Sequence, residues 1–364
     1  MAKITRKKFI KIRTGSDEVK KYPFISIIIP CRNEEKHIAR CLDSIIANTY
    51  PKERMEVLVV DGKSDDATLR ILNDYKKKYG FIKILENKKR VTPAAMNTGI
   101  NNSTGELVTI INSHAVLDGD FFLKSVSILN ETNADAAGGR LNTINDGEEI
   151  VSKSIPIAAD SFFGAGGRRY RSRKKPGLVA DTLPYCVYKK DVFNNIGLID
   201  EELLRDQDEE FNYRLLKHGG KIFFSPEIKS HLHLRPSLKK LWRQHFQYGY
   251  FKVKVAQKIG TLLTWRQLIP ALFVGNLFLW TLLGLMSPKA VYLALLLFAA
   301  YEASSVAFAF MLAVRHGMVY LIPFVVVFNT LHFSYGLGYL KGIIDFVLFK
   351  KDKKKKILDA PLTR

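Results

Sequence analysis

Phe24-Ile25-Ser26-Ile27-Ile28-Ile29-Pro30 is a short apolar run, rich in β-branched residues and closed by a proline. A run so brief and so continuously apolar suits a strand buried on both faces, as in a parallel sheet. Working outward, residues 34–48 place Ile38, Leu42, Ile45 and Ile46 on one helical face, and 55–60 (Met-Glu-Val-Leu-Val-Val) is strand-like again before Asp61 and Gly62. Strand, helix and strand at this spacing predict a βαβ unit. The pattern continues with a helix over 69–79, a strand over 82–85, a helix after Pro93 and a strand over 107–111. The expected fold class is α/β with a mainly parallel twisted sheet. Ligands of such sheets sit beyond the carboxyl ends of the strands. The polar residues to examine are therefore Arg32 and Glu34, then Asp61 with Ser64 and Asp65, then Asn112 with His114. Three strand ends would converge on one cleft.

Charge divides the chain. It is spread through the first 260 residues and nearly vanishes between Leu268 and Tyr339, where the apolar segments 268–286, 290–314 and 318–340 stand. Roughly 20 apolar residues cross a hydrocarbon core, so a C-terminal helical transmembrane region is expected. Three spans would place the lysine-rich tail opposite the preceding domain, against the preference for positive charge on the cytoplasmic side. A third segment that re-enters near Asn329, His332 and Gly336, or lies in the interface, would resolve the conflict.

The formal net charge is +21, with basic runs near the N-terminus, at Arg168 to Lys175 and at Lys350 to Lys356. Such an excess suits anionic lipid, phosphorylated substrates or nucleic acid. Beside apolar spans, anionic membrane lipid and phosphate are the better partners and nucleic acid is not expected. Cys31, Cys41 and Cys186 have no metal-ligand spacing and read as reduced, structural thiols. The first 25 residues are basic and lack a signal-peptide core, so the N-terminal domain is expected in the cytoplasm, on a multi-pass cell-membrane protein.

Four motifs in succession resemble glycosyltransferase family 2: Ile-Pro-Cys-Arg-Asn-Glu-Glu (29–35), Val-Val-Asp-Gly-Lys-Ser-Asp-Asp (59–66), Ala94-Ala95-Met96-Asn97 with Gly99, and Gln207-Asp208-Glu209-Glu210 with Arg214. The resemblance covers residues 24 to about 250. With a membrane C-terminus it is most similar to the subgroup that extends lipid-linked saccharides of surface glycans, such as the succinoglycan-type glucosyltransferases. It implies a GT-A-type nucleotide-sugar-binding domain and an inverting hexosyl transfer, from a nucleotide sugar (UDP-sugar above all) to a lipid-linked (polyprenyl) acceptor at the cytoplasmic membrane face. A polyprenyl or dolichyl phosphate sugar synthase shares this cleft and is the main rival. The corresponding division is a basic segment 1–23, a catalytic domain 24–235, interfacial amphipathic helices 236–265, transmembrane helices 266–349 and a basic cytoplasmic tail 350–364.

The resemblance assigns Pro30, Arg32 and Glu34 to the base and ribose, Asp61 to the uracil edge, and Ser64 or Asp65 to the loop shaping that pocket. Asp61 and Ser64 also suit a helix cap. Lys89, Arg90, Asn97, Asn112, Arg243 and Gln244 fall near the donor by the same analogy. Where the family carries Asp-x-Asp for Mg²⁺ or Mn²⁺, this chain reads Asn112-Ser113-His114, leaving His114 as the candidate ligand, with Mn²⁺ suited at least as well as Mg²⁺. His114 could instead bond the diphosphate directly. Asp208 takes the position of the family's general base, although an acidic cluster also suits a helix start. Asp181, Tyr185, Gln207 and Tyr248 fall where acceptor contacts are expected. Gln244-His245-Phe246-Gln247-Tyr248 lacks the arginine and tryptophan of processive members, which implies single-sugar addition. The stretch 236–265 also reads as an amphipathic helix with Trp242, Phe246 and Tyr250 on its apolar face. The glycine-rich, cationic 164–175 suits the anionic head of a lipid-linked acceptor.

Overall fold

The computed structural model describes residues 22–145, 147–164, 173–179, 182–234, 237–260 and 265–350. Asp181 and most of the cationic segment 164–175 lie outside the described residues.

Strand β1 (Ile25–Cys31) runs parallel to β2 (Met55–Asp61) on one side and β4 (Leu107–Ile110) on the other, and β2 runs parallel to β3 (Ile82–Glu86). Helices α1 (Ile38–Ile46), α2 (Thr68–Lys78) and α3 (Thr92–Asn102) form the crossovers. Successive side chains of a strand face opposite sides, so Ile25, Ile27 and Ile29 join Val57 and Val59 in one core with Leu42 and Ile45 of α1, while Ile28, Leu58 and Val60 join the other with Ala95 and Ile100 of α3. Full burial of one such side chain contributes about 2 kcal/mol, which fixes the register because a one-residue slip would exchange the two faces.

Glu56 is the charged exception inside β2. Its carboxylate accepts from Ser26 Oγ, from the backbone N–H and hydroxyl of Thr104 (each at 2.7 Å) and from Lys83 Nζ at 2.8 Å. Burial pushes its pKa up, but these four donors outweigh burial and hold it down at about 2.

Beyond β4 the sheet is mixed. β8 (Val187–Lys189) is antiparallel to β4 and to β6 (Ala136–Asn145); β9 (Ile222–Leu234) is parallel to β6 and antiparallel to β5 (Ala115–Leu117) and β7 (Gly177–Val179). The order is β3-β2-β1-β4-β8-β6-β9-β5, with β7 on β9. The parallel pattern expected from the sequence describes the N-terminal half; the short strands that reverse it were too brief to register as alternating runs. Helices α4 (Phe121–Thr132), α5 (Ile150–Asp160), α6 (Asp191–Ile196) and α7 (Gln207–Lys217) complete the domain.

A long helix α8 (Leu238–Ile259) leads to α9 (Ile269–Leu283), α10 (Pro288–His316) and α11 (Leu321–Gly342). The segments Trp265–Leu283, Pro288–His316 and Met318–Leu348 are long and apolar enough to cross a membrane. The third does not break at Asn329, His332 or Gly336: α11 is continuous, a point the sequence left open. Its polar groups are satisfied by neighbours instead, since Asn329 bonds Glu302 at 3.3 Å and His332 contacts the Tyr301 hydroxyl at 3.0 Å and the Gly164 carbonyl at 3.1 Å. Its glycines admit α8. A Cβ on Gly338 would stand 2.0 Å from the Phe246 carbonyl oxygen, and one on Gly249 would stand 2.1 Å from that of Tyr335. α8 is therefore a packed member of the helical unit; Trp242 is exposed, while Tyr250 packs on Phe346 with ring centroids 4.6 Å apart. Phe163, just after α5, inserts between Phe308, stacked at 4.7 Å, and Phe328, edge-on at 5.0 Å, tying the sheet domain to the apolar helices.

Candidate active site

The cleft lies where β1, β2 and β4 end. Of the seven non-glycine residues with positive φ among those described, Asn33 and Lys63 directly follow β1 and β2, Arg90 precedes α3 and Asp206 precedes α7. Each such backbone costs on the order of 1 kcal/mol or more and concentrates where function requires a particular loop shape.

The loops after β1 and β2 are stitched together. Asp61 is buried, and its carboxylate accepts from the Ser64 N–H at 3.0 Å and the Ser64 hydroxyl at 2.5 Å. Ser64 Oγ in turn accepts from the Asn33 N–H at 2.8 Å, and Asn33 exchanges bonds with Asp65 at 2.5 and 3.0 Å. Glu34 receives the Thr68 hydroxyl oxygen as acceptor for its N–H at 2.8 Å. Arg32 lies across Gly62, whose Cβ, if present, would be 3.1 Å from Arg32 Cδ; the Arg32 Nε is buried without a hydrogen-bond partner among the described residues. A buried guanidinium nitrogen left unsatisfied beside Asp61 is costly unless a ligand completes it. Pro30 pairs with Val60 in the β1–β2 register, one step before the Cys31–Asp61 pair, so these sequence-derived candidates form one patch.

Lys89 and Asn97 engage protein groups. Lys89 Nζ pairs with Glu201 at 2.5 Å, and the Asn97 amide bonds the backbone of Ile199 at 2.8 and 3.0 Å and Glu201 at 3.2 Å. They hold the segment leading to the acidic motif. Arg90 adopts φ 58° at the entry to α3. Asn112 and His114 follow β4, with His114 Nδ1 3.7 Å from Glu34 Oε1. No group of three His, Cys, Asp or Glu side chains among the described residues could hold a metal on its own.

The acidic motif opens α7. Asp206, at φ 59°, and Glu209 both pair with the buried Lys252 of α8, the former at 3.3 Å; Glu210 pairs with Arg214 at 2.9 Å. Asp208 alone of the four carboxylates has no side-chain partner among the described residues, and the residue is exposed at the start of α7. The surrounding walls and then the Glu209 charge raise its pKa, while N–H groups of the helix start oppose the rise. Asp206 is raised to about 7, first by burial, against the pull of Lys252. Gln207 begins α7 beside them, and Tyr185 is half-buried at φ 49°. On α8, Gln244 donates to the Tyr248 hydroxyl at 2.9 Å, and Arg243 is exposed.

Sequence reasoning missed Lys252, Glu201 and Glu56. For Lys252 a signal existed: two lysines interrupt the apolar Phe251-Lys252-Val253-Lys254-Val255, which implies buried partners of opposite charge, and the nearest acidic run is 206–210.

Residues 26–197 match the family described as Glycosyl transferase family 2. The chain is 36% identical over 243 residues (65% of this chain, 74% of the relative) to the dolichyl N-acetyl-alpha-D-glucosaminyl phosphate 3-beta-D-2,3-diacetamido-2,3-dideoxy-beta-D-glucuronosyltransferase of Methanococcus voltae. It is 24% identical over 322 residues (88% of this chain, 95% of the relative) to the succinoglycan biosynthesis protein ExoA of Rhizobium meliloti. Among solved structures, the mannosyltransferase PcManGT from Pyrobaculum calidifontis, in complex with GDP-Man and Mn²⁺, shares the fold with a TM-score of 0.56 at 18% identity, covering 89% of this chain and 88% of that one. Fold and site define a glycosyltransferase of GT-A type. The chain belongs to glycosyl transferase family 2.

Proposed function

We propose that this chain is an inverting glycosyltransferase that moves a hexose from a nucleotide sugar, a UDP-sugar foremost, onto a lipid-linked saccharide at the cytoplasmic face of the membrane. The observation that carries the reading is the isolation of Asp208: its neighbours Asp206, Glu209 and Glu210 are each paired with a cation, and Asp208 alone is exposed with no side-chain partner among the described residues. Inverting transfer needs one carboxylate to take the proton of the acceptor hydroxyl as the anomeric carbon is attacked, and a raised pKa makes that carboxylate the stronger base.

On the donor side, Arg32 Nε and the Asp61–Ser64 turn form a patch for the base and ribose, with Pro30, Glu34 and Asp65 around it. Arg90, Arg243 and Gln244 are the remaining donor candidates, and Lys89 and Asn97 act through Glu201. His114 with Glu34 offers one nitrogen and one oxygen donor close enough to share a divalent cation, Mn²⁺ or Mg²⁺, provided the donor diphosphate completes the set. Such an ion would supply positive charge to the leaving diphosphate. Asn112 follows the same strand and can bond a phosphate oxygen.

For the acceptor, the curated name of the Methanococcus voltae relative specifies a dolichyl-phosphate-linked sugar, which favours a lipid-linked saccharide over a bare lipid phosphate. Gln207, Tyr185, Tyr248 and Asp181 belong to the acceptor side of this reading. In this reading the three apolar helices anchor the enzyme, and the charge of the basic runs suits anionic lipid. Full-length protein in nanodiscs would be offered UDP-, GDP- and other nucleotide sugars, then polyprenyl phosphate and a polyprenyl-phosphate-linked sugar in parallel. The reading requires transfer to the linked sugar with inverted anomeric configuration. Transfer to the bare lipid phosphate alone would replace it with a lipid phosphate sugar synthase, and stabilisation by nucleic acid but by no nucleotide sugar would remove it.

A further inference from the structure

Lys252 stands on α8, in the stretch of helix that follows the candidate donor and acceptor residues, and is buried, with 8% of its side chain exposed. A buried ammonium is tolerated only when paired. Its partners are Asp206, 3.3 Å away and immediately before α7, and Glu209 in the first turn of α7. Glu209 has a second hold, accepting from Gln267 Nε2 at 3.2 Å, in the turn that opens the first apolar segment. The charged and titratable groups around the ammonium are thus Asp206, Asp208 and Glu209 from the α7 side and Tyr335 and Tyr339 from α11.

The two carboxylates that Lys252 binds flank Asp208 by two residues on one side and one on the other. Held on α8, they cannot turn into the cleft or take the acceptor proton themselves. α8 is in turn locked on α11 by the backbone approaches at Gly249 and Gly338. Among the described residues, Asp208 is the one carboxylate of the motif that no side chain restrains.

We infer that Lys252 is a positioning residue for the transfer reaction, which fixes Asp206 and Glu209 on the membrane-packed helix so that Asp208 alone meets the acceptor. This rests on the reading of Asp208 as the base. Lys252 also lowers the cost of the Asp208 negative charge, and Glu209 raises it, so substitution of the two moves the protonation of the base in opposite directions. A merely structural lysine would move stability without that signature.

The test uses full-length protein in nanodiscs and the pH dependence of kcat/KM for transfer, with UDP affinity as the measure of an intact donor site. Lys252→Met should lower kcat at least tenfold with donor KM within about threefold, and move the acid limb of the profile up. Lys252→Arg should return the limb to its parental place. Glu209→Gln retains the cation and covers the case in which Lys252→Met fails to fold; its limb should move down. Asp208→Asn is run alongside: loss of turnover there with limbs unmoved in both Lys252→Met and Glu209→Gln, or unmoved in Glu209→Gln where Lys252→Met does not fold, would overturn the role of Lys252 alone. Retained turnover in Asp208→Asn would overturn the base assignment and this role together.

Discussion

Glu34 Oε1 and His114 Nδ1 stand 3.7 Å apart across the carboxyl ends of β1 and β4. In the proposed reading, that pair offers a divalent cation one nitrogen and one oxygen donor, where Asn112-Ser113-His114 stands in place of Asp-x-Asp. Turnover is expected to fall in chelator and to return with Mn²⁺ at least as well as with Mg²⁺, because an imidazole nitrogen suits Mn²⁺ better. His114→Ala should lose that response and Asn112→Asp should strengthen it. Full activity in chelator would reject a metal, and an unchanged metal response in His114→Ala would reject His114 as its ligand.

Asp61→Ala removes both acceptors of Ser64 and loosens the turn that also holds Asn33. Donor KM should rise about tenfold, the equivalent of one charged hydrogen bond, with kcat less affected. Isothermal titration with UDP reads this directly. Equal affinity in the parent and the variant would place the nucleotide elsewhere.

The Glu56 network makes a statement about pH. Its folded pKa, about 2, lies below the ordinary glutamate value, so its stabilising contribution is fully present above the unfolded value and is lost as pH falls towards 2. Glu56→Gln should cost about 2 kcal/mol at pH 7, discounted for the partly exposed Lys83 partner, and the cost should shrink as pH falls below the unfolded value. Thermal unfolding of parent and variant at pH 7 and at pH 3.5 measures the difference. An equal cost at both would contradict the network.

Gly249 and Gly338 let α8 and α11 pack with backbones in close approach. Gly338→Val would press a side chain onto the Phe246 carbonyl, and overpacking of this kind costs about 1–3 kcal/mol. A lower unfolding midpoint in detergent is expected, accompanied by reduced transfer because α8 carries Lys252. A midpoint equal to that of the parent would deny the contact.

The parallel half of the fold was legible because β1 and β2 are uninterrupted apolar runs whose every residue is inside or nearly so, and because Arg32, Asp61 and Ser64 stand directly after them. The antiparallel half was not. β7 and β8 have three residues each, too few for a period of two to be seen. The apolar helices were legible as segments, but the polar Asn329 and His332 left the continuity of the third segment open, because their partners, Glu302 and Tyr301, lay one helix away and could not be paired from spacing alone. Asn97 was recognised by its motif, but its bonds to Ile199 and Glu201 span about a hundred residues and belong to the folded chain only.

The isolation of Asp208 among paired carboxylates is the centre of the account, and its most direct test is the Asp208→Asn variant in nanodiscs, assayed for sugar transfer and for UDP binding together. General-base catalysis is worth about a thousandfold. Transfer should fall by about that factor while UDP affinity stays within about threefold, since the proposed donor residues Arg32, Asp61 and Ser64 follow β1 and β2 and not α7. Turnover within about tenfold of the parent, with UDP affinity unchanged, would contradict it.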